Sequence, residues 1–236
     1  MWVLSVDRSG AQAGAALFCN GRLAGECRDA ADPSRSPGWL ASVAVLLAEH
    51  GVAASRLGAL CAGVGPGSFS GIRSSLAALQ GMALPEALPV LGVSSAAALA
   101  FRLLSPPGAP EAVAVVGDAR RERLWTATFR LAPQGGVAVV APGGAVAAAR
   151  HTAEDFRLCR AADIATAVPE GVPVVTADWA RIGAQLVAAF GPKRVAAEAL
   201  VAGAAAVGRL CLAAPAAARR DPLPVYLHPA VAKPSA

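Results

Sequence analysis

The stretch Gly63-Val-Gly-Pro-Gly-Ser-Phe-Ser-Gly-Ile-Arg73 constrains the fold more than any other. An apolar, β-like run from Ala59 to Val64 enters it, and a helical pattern from Ser70 to Leu84 leaves it. Gly63, Gly65, Gly67, Gly71 and Pro66 crowd the turn between them. Glycine permits φ > 0 and close backbone approach, so a strand can turn sharply into a helix here. The hydroxyl of Ser68 or Ser70 can cap the helix, whose N-terminus also suits an anion. Two readings stay open at this point, a tight strand-to-helix turn and an anion site. The stretch lacks the Gly-Lys-Ser/Thr of a P-loop and does not match a dinucleotide-binding Gly-x-Gly-x-x-Gly with its acidic partner.

Upstream, Trp2–Val6 reads as a buried strand ending at Asp7. Ala13–Cys19 and Arg22–Cys27 read as strands joined by Asn20-Gly21, a strong two-residue hairpin signal. After a polar loop, Ser36 and Pro37 begin a helix that Gly51 ends. Trp39, Leu40, Val43, Val45, Leu46 and Leu47 cover more than one of its faces. A surface helix carries one apolar stripe. Two stripes mean burial on both sides, against a partner protein or wholly inside the chain. Gly58–Val64 is the next strand. Ile72, Leu76 and Leu79 then line one face of the Ser70–Leu84 helix, and Ala77, Ala78 and Gly81 smooth another. Val90–Val93 is a strand, followed by an Ala-rich helix capped by Ser94 or Ser95 and reaching Leu104. Pro106-Pro107-Gly108 with Pro110 marks a boundary, giving lobes 1–105 and 106–217.

The second block echoes the first. Ala112–Val116 is a strand, Asp118-Ala-Arg120 a turn, and Leu124–Leu131 pairs with Gly136–Val140. Short helices fill Ala147–Gly171. Val172–Thr176 is a strand, Trp179–Phe190 a helix ended by Gly191-Pro192, Lys193–Ala196 a short strand and Ala199–Ala214 a helix. Pro222–Leu227 is extended. The pattern is an α/β arrangement of two related halves.

With 236 residues, 55% of them hydrophobic, and a mean hydropathy of +0.50, the chain can build real cores. Its longest uncharged run, Leu131–Ala149, is broken by prolines and glycines and cannot be a membrane helix. The N-terminus has no basic region before a short apolar run, so a soluble cytoplasmic protein without membrane contact is expected. Cys19, Cys27, Cys61, Cys159 and Cys211 are widely spaced in apolar sequence, as befits buried thiols. The three histidines have no metal-ligand spacing, and no metal site is expected. The net charge is +5. Arg120, Arg121 and Arg123, Lys193-Arg194 and Arg219-Arg220 are basic clusters suited to an RNA backbone or to a solvated face. A single tyrosine and no aromatic–basic interleaving argue against base reading.

The Gly63–Arg73 stretch, followed by Gln80-Gly-Met-Ala83 and Pro89-Val-Leu-Gly-Val-Ser94, resembles the central signature of the TsaB (YeaZ) family of bacterial tRNA threonylcarbamoyladenosine biosynthesis proteins. Leu4-Ser-Val-Asp7 with Ser9, Gly117-Asp-Ala-Arg-Arg121 and Pro224-Val-Tyr-Leu227 resemble three further family motifs, in the expected order. The resemblance implies the actin/hexokinase-like (ASKHA, ribonuclease H-like) duplicated fold with two lobes, and a C-terminal tail, 218–236, packed on the first lobe. It implies a non-catalytic subunit that binds and activates the TsaD transferase acting on adenosine 37 of tRNA. The TsaE ATPase would join the assembly, with ADP or ATP at the complex interface, tRNA held mainly through the complex, and no cofactor of the chain's own. Trp39, Leu40, Val43, Leu46, Leu47, Ile72, Arg73, Leu76 and Leu79 are the expected interface residues with TsaD, or with a second copy in a homodimer.

In ASKHA enzymes an Asp at the end of the first strand helps hold phosphate and metal. Asp7 stands there, and Asp7, Ser9, Gly65, Gly67 and Ser68 are the candidate nucleotide-binding residues; Asp7 can equally cap its own turn. The TsaD family has a His-x-x-x-His metal pair after the strand matching Val90–Val93. Here the segment is Ser94-Ser-Ala-Ala-Ala-Leu-Ala100, so no catalytic residue is assigned. Arg123, Trp125, His228 and Arg35-Ser36 depart from the family pattern. The alternative function is an independent ATP-dependent ASKHA small-molecule kinase, resting on Asp7 and the glycine loop.

Overall fold

The computed structural model describes residues 1–10, 13–28, 38–141, 143–214 and 219–227, with residues 219–220 described by their backbone. The first half comprises β1 (Trp2–Asp7), β2 (Gly14–Cys19), β3 (Arg22–Arg28), α1 (Trp39–Glu49), β4 (Leu57–Gly63), α2 (Phe69–Ala83), β5 (Val90–Val93) and α3 (Ser95–Leu104). The second comprises β6 (Val113–Arg120), β7 (Arg123–Leu131), β8 (Val137–Val140), β9 (Val146–Ala148), β10 (Arg157–Arg160), α4 (Ile164–Ala167), β11 (Val174–Thr176), α5 (Trp179–Phe190), β12 (Val195–Ala199) and α6 (Gly203–Ala213). β13 (Arg219–Arg220) follows.

Two sheets form among these residues. The first is ordered β13-β5-β4-β1-β2-β3, with β1 to β3 an antiparallel meander and β4 and β5 parallel to β1. The second repeats this plan: β6 to β8 form the meander, β11 lies parallel to β6, and β12 parallel to β11. β9 extends its edge, and β10 pairs with the first part of β7. Each half also places a helix between its two parallel strands, α2 or α5, and another after the last strand, α3 or α6. This is the duplicated actin/hexokinase-like α/β fold.

The core is layered because the strands alternate. In β1, Leu4 and Val6 pack outward with Leu46, Leu60, Leu76 and Leu79 beneath α1 and α2. Val3 points the other way, to Phe18, Cys61, Leu210 and Cys211 between the sheets. α3 and α6 fill that middle layer, and α4 and α5 cover the far face of the second sheet with Ile164, Leu186 and Phe190. Burying each large apolar side chain is worth roughly 1.5–3 kcal/mol. The alanines of α6 allow close packing on the first sheet. The Ser5 hydroxyl donates to the Ala204 carbonyl at 2.8 Å, and a Cβ on Gly208 would meet the Phe18 ring at 2.3 Å.

Several elements differ from expectation. Asp118 and Arg120 belong to β6, and the turn comes later, at Arg121-Glu122. The segment read as short helices contains strands β9 and β10 as well as short helical turns, because β7 offers a free edge to β10. The strand begun at Lys193 starts at Val195, and the helix begun at Ala199 starts at Gly203. α1 begins at Trp39; Ser36, Pro37, Arg35 and His228 lie outside the described residues. No helix among the described residues is long and apolar enough to cross a membrane.

Candidate functional site

The glycine-rich stretch and the β1–β2 turn close on each other. The Ser68 amide donates to the Ser9 carbonyl at 2.7 Å, while the Ser68 side chain caps α2 by accepting from the Gly71 amide at 3.2 Å. Glycines are required by proximity. A Cβ on Gly67 would lie 2.1 Å from the Ser9 carbonyl oxygen, and one on Gly71 would lie 2.2 Å from that of Arg8. The chain's own backbone therefore occupies the mouth of this helix. The loop also joins α3: Ser95 donates its amide to the Gly65 carbonyl at 2.8 Å, and the Gly65 amide donates to the Ser95 hydroxyl oxygen at 3.2 Å.

Asp7 sits at the centre of this junction, 4% exposed. Its Oδ1 accepts from the Ser9 amide and the Ser95 hydroxyl, each at 3.1 Å. Burial pushes its carboxyl above the ordinary aspartate range, and the hydrogen bonds from Ser9 and Ser95 act in the opposite sense. The structure thus brings Asp7, Ser9, Gly65, Gly67 and Ser68 together. What it joins there is β1, the loop and α3. Ser94, which opens the segment without histidines, caps α3 by accepting from the Ala97 amide at 3.2 Å.

The two helices expected at an interface do share one side of the molecule, but most of the residues chosen for it point inward. Val43, Leu46, Leu47, Ile72, Leu76 and Leu79 are buried in the core between α1, α2 and the first sheet. The apolar periodicity marked the core stripe instead of the outer one. Trp39 is half-buried with the Arg8 guanidinium 5.2 Å above its ring. Leu40 is 49% exposed and Arg73 is exposed.

The outward face of α1 is made of Leu40, Ala41, Ala44, Val45 and Ala48, all exposed. On α2 it is made of Ser70, Ser74, Ala77 and Gly81, small residues beside Arg73. Phe69, 58% exposed, stands at the first helical position, where its ring stacks on Tyr226 of the tail at 5.4 Å and carries the Arg73 guanidinium at 5.0 Å. The tail is tied to the loop by the Val225 amide, which donates to the Val64 carbonyl at 2.8 Å. Sequence reasoning missed Phe69 and Tyr226. An aromatic at the first position of a capped helix has no inward neighbour one turn back, and that was the available signal for Phe69.

The Asp-Ala-Arg motif is an ion-pair knot. Asp118 accepts from the Arg120 amide at 2.7 Å and pairs with Arg120 at 3.3 Å and Arg181 at 2.9 Å. Its own amide donates to Asp178 at 2.9 Å, and Asp178 also pairs with Arg181. The departure at Trp125 is a core substitution. Trp125 lies directly opposite Gly117, whose missing side chain leaves room for the indole, and it meets Phe156 edge-on at 5.4 Å. Among the described residues no three His, Cys, Asp or Glu side chains converge.

Residues 39–150 match the family model described as TsaD, tRNA N6-adenosine threonylcarbamoyltransferase. The chain is 34% identical over 85 residues to the tRNA threonylcarbamoyladenosine biosynthesis protein TsaB of Escherichia coli, covering 36% of each chain. It is 29% identical over 123 residues to TsaB of Haemophilus influenzae, covering 52% of this chain and 51% of that one. The matched segments thus span about a third to a half of these curated relatives. Structural likeness runs further: YeaZ from Pseudomonas aeruginosa superposes with a TM-score of 0.72 at 27% identity, covering 96% of this chain and 99% of that one. With the motifs in order and the fold of YeaZ shared along nearly the whole length, these likenesses support the assignment of the chain to the TsaB/YeaZ family.

Proposed function

We propose that this chain is a non-catalytic subunit that binds and activates a TsaD-type transferase in the threonylcarbamoyladenosine modification of tRNA. The observation that carries the reading is the outward face of α1 and α2. Leu40, Ala41, Ala44, Val45 and Ala48 form an exposed apolar helix face beside the small-residue face of α2. Exposed apolar patches of this kind suit a protein partner, and small residues let a partner helix approach closely. Phe69 and Tyr226 supply aromatic side chains at one end, residue types enriched in the cores of protein interfaces. The non-catalytic half of the reading is supported by the glycine loop. Its helix mouth is filled by the Arg8-Ser9 backbone, and Asp7 is spent on joining the loop to α3.

In this reading ATP turnover belongs to a TsaE-type partner, and the same apolar face pairs two copies of the chain when the transferase is absent. Sedimentation of the chain with and without purified TsaD tests the association. A one-to-one complex that competes with self-association is expected. Two species sedimenting independently at micromolar concentrations would refute it.

A further inference from the structure

We propose that Arg121, Arg123 and Arg160, at the β6–β7 end of the second sheet, form a docking surface for the phosphate backbone of RNA. This rests on the reading that the chain serves tRNA modification. Arg123 of β7 stands opposite Arg160 of β10 on one side and Arg120 of β6 on the other. Side chains directly opposite in an antiparallel ladder are about 4.5–5.5 Å apart at Cβ, and like charges so placed repel. Arg120 is relieved by Asp118. Arg121, Arg123 and Arg160 are exposed, and among the described residues no carboxylate pairs with them. The nearby Glu122 and Asp163 are also exposed and pair with none of the three.

The turn that presents this row is unfavourable in itself. Arg120, Arg121 and Glu122 have φ of 65°, 53° and 57°, three successive non-glycine residues in the left-handed region. The matching hairpin of the first half uses Asn20-Gly21, the residues that such a turn prefers. Strain and repulsion that coincide at one exposed place point to function. The guanidinium fork matches phosphate oxygens, so an anionic backbone would turn a repulsive row into a complementary one. Trp125 of β7 and Phe156, just before β10, pack edge-on against each other, so what the surface offers is charge, which suits backbone contact instead of base reading.

The test is binding of an unmodified tRNA transcript to the full chain alone, by fluorescence anisotropy between 50 and 200 mM salt. Arg123→Ala/Arg160→Ala is expected to weaken binding about ten-fold at 100 mM and to reduce the log–log salt slope by about 1.4–1.8. Arg102→Ala/Arg209→Ala, which removes equal charge from α3 and α6, is expected to change it less than about three-fold. Two glycine variants separate folding from binding. Arg121→Gly should raise Tm by about 2–4 °C while weakening RNA binding, and Glu122→Gly should raise Tm without weakening it. Equal losses in the two double variants, no wild-type binding at 50 mM salt, or displacement of the RNA by polyglutamate at equal charge would overturn the proposal. Association with TsaD is measured without RNA. Its absence defeats the activator reading, whereas its retention in the Arg123→Ala/Arg160→Ala variant with RNA binding lost assigns the effect to this surface.

Discussion

The Ser68 amide reaches the Ser9 carbonyl at 2.7 Å, so the chain closes the N-terminus of α2 with its own β1–β2 turn. The residue between loop and helix must then be glycine, because a Cβ on Gly67 would press on the Ser9 backbone. Gly67→Ala should destabilise the fold by about 1–3 kcal/mol, as overpacking against backbone does. Gly81, in the same helix, faces open space where a Cβ would stand, and Gly81→Ala should be neutral or stabilising by about 0.5–1 kcal/mol. Urea midpoints of the two variants provide the check. Equal effects would mean that the loop and turn are not in contact.

Asp7 yields a pH prediction of unusual sign. Burial holds its folded carboxyl above the ordinary value, so the folded state favours the neutral form more than the unfolded chain does. The associated stability is present below the unfolded value near 3.8 and is lost as pH rises through the raised folded value. Asp7→Asn keeps an oxygen for Ser9 and Ser95 and removes the buried charge. Its Tm should match or exceed that of the wild type at pH 7, with the difference shrinking toward pH 4. A kinase reading predicts instead that metal-dependent ATP turnover by the isolated chain is lost in this variant.

His50 titrates with the opposite partner chemistry. Its ring nitrogens face the Leu46 carbonyl at 2.9 Å and the Ala24 carbonyl at 3.1 Å, linking the end of α1 to β3. Two acceptors favour the imidazolium, and these backbone hydrogen bonds raise its pKa above 6.5. The stability it contributes is complete below the unfolded value and fades as pH rises through the raised folded one. NMR titration of the ring should give a midpoint above 6.5, and His50→Gln should flatten the Tm profile between pH 6 and 9. A midpoint at or below 6.5 would show that the two carbonyl contacts do not persist in solution.

Much of this architecture was legible because local chemistry and global fold agree. Asn20-Gly21 turns where its left-handed preference demands, Ser94 caps α3, and α5 runs from Trp179 to the glycine after Phe190. The β6–β7 turn was placed too early because Arg121-Glu122 carries none of the residues that usually mark such a turn. β10 was missed because its four residues gain their structure from pairing with β7, a long-range contact that no local pattern reports. In the candidate site, turn chemistry marks the glycine loop and the cap of α2, while the grouping of Asp7 and Ser9 with that loop comes from the family resemblance. Six of the nine residues expected at an interface, Val43, Leu46, Leu47, Ile72, Leu76 and Leu79, are core residues for a physical reason. α1 is apolar on two sides, and periodicity alone cannot tell Val43, which is 3% exposed, from Val45, which is 54% exposed.

That difference also dictates how the outward face must be probed. Val43→Asp or Leu76→Asp buries a charge in the core and should unfold the chain, whereas Val45→Asp and Phe69→Asp change exposed positions. Thermal melts should show Tm values near wild type for the second pair alone. If Val43→Asp stays folded with an unchanged Tm, α1 does not pack as described.

The central claim is that the chain activates a TsaD-type transferase through this face. The most direct measurement is the rate of threonylcarbamoyl transfer to tRNA by TsaD and TsaE from the same organism, with threonylcarbamoyl-adenylate and ATP. It is run with wild-type chain, with Val45→Asp/Phe69→Asp, or without the chain. The account predicts transfer with wild type, a rate with the double variant close to that of omission, and no transfer by the chain alone. A rate unchanged by omitting the chain would contradict it.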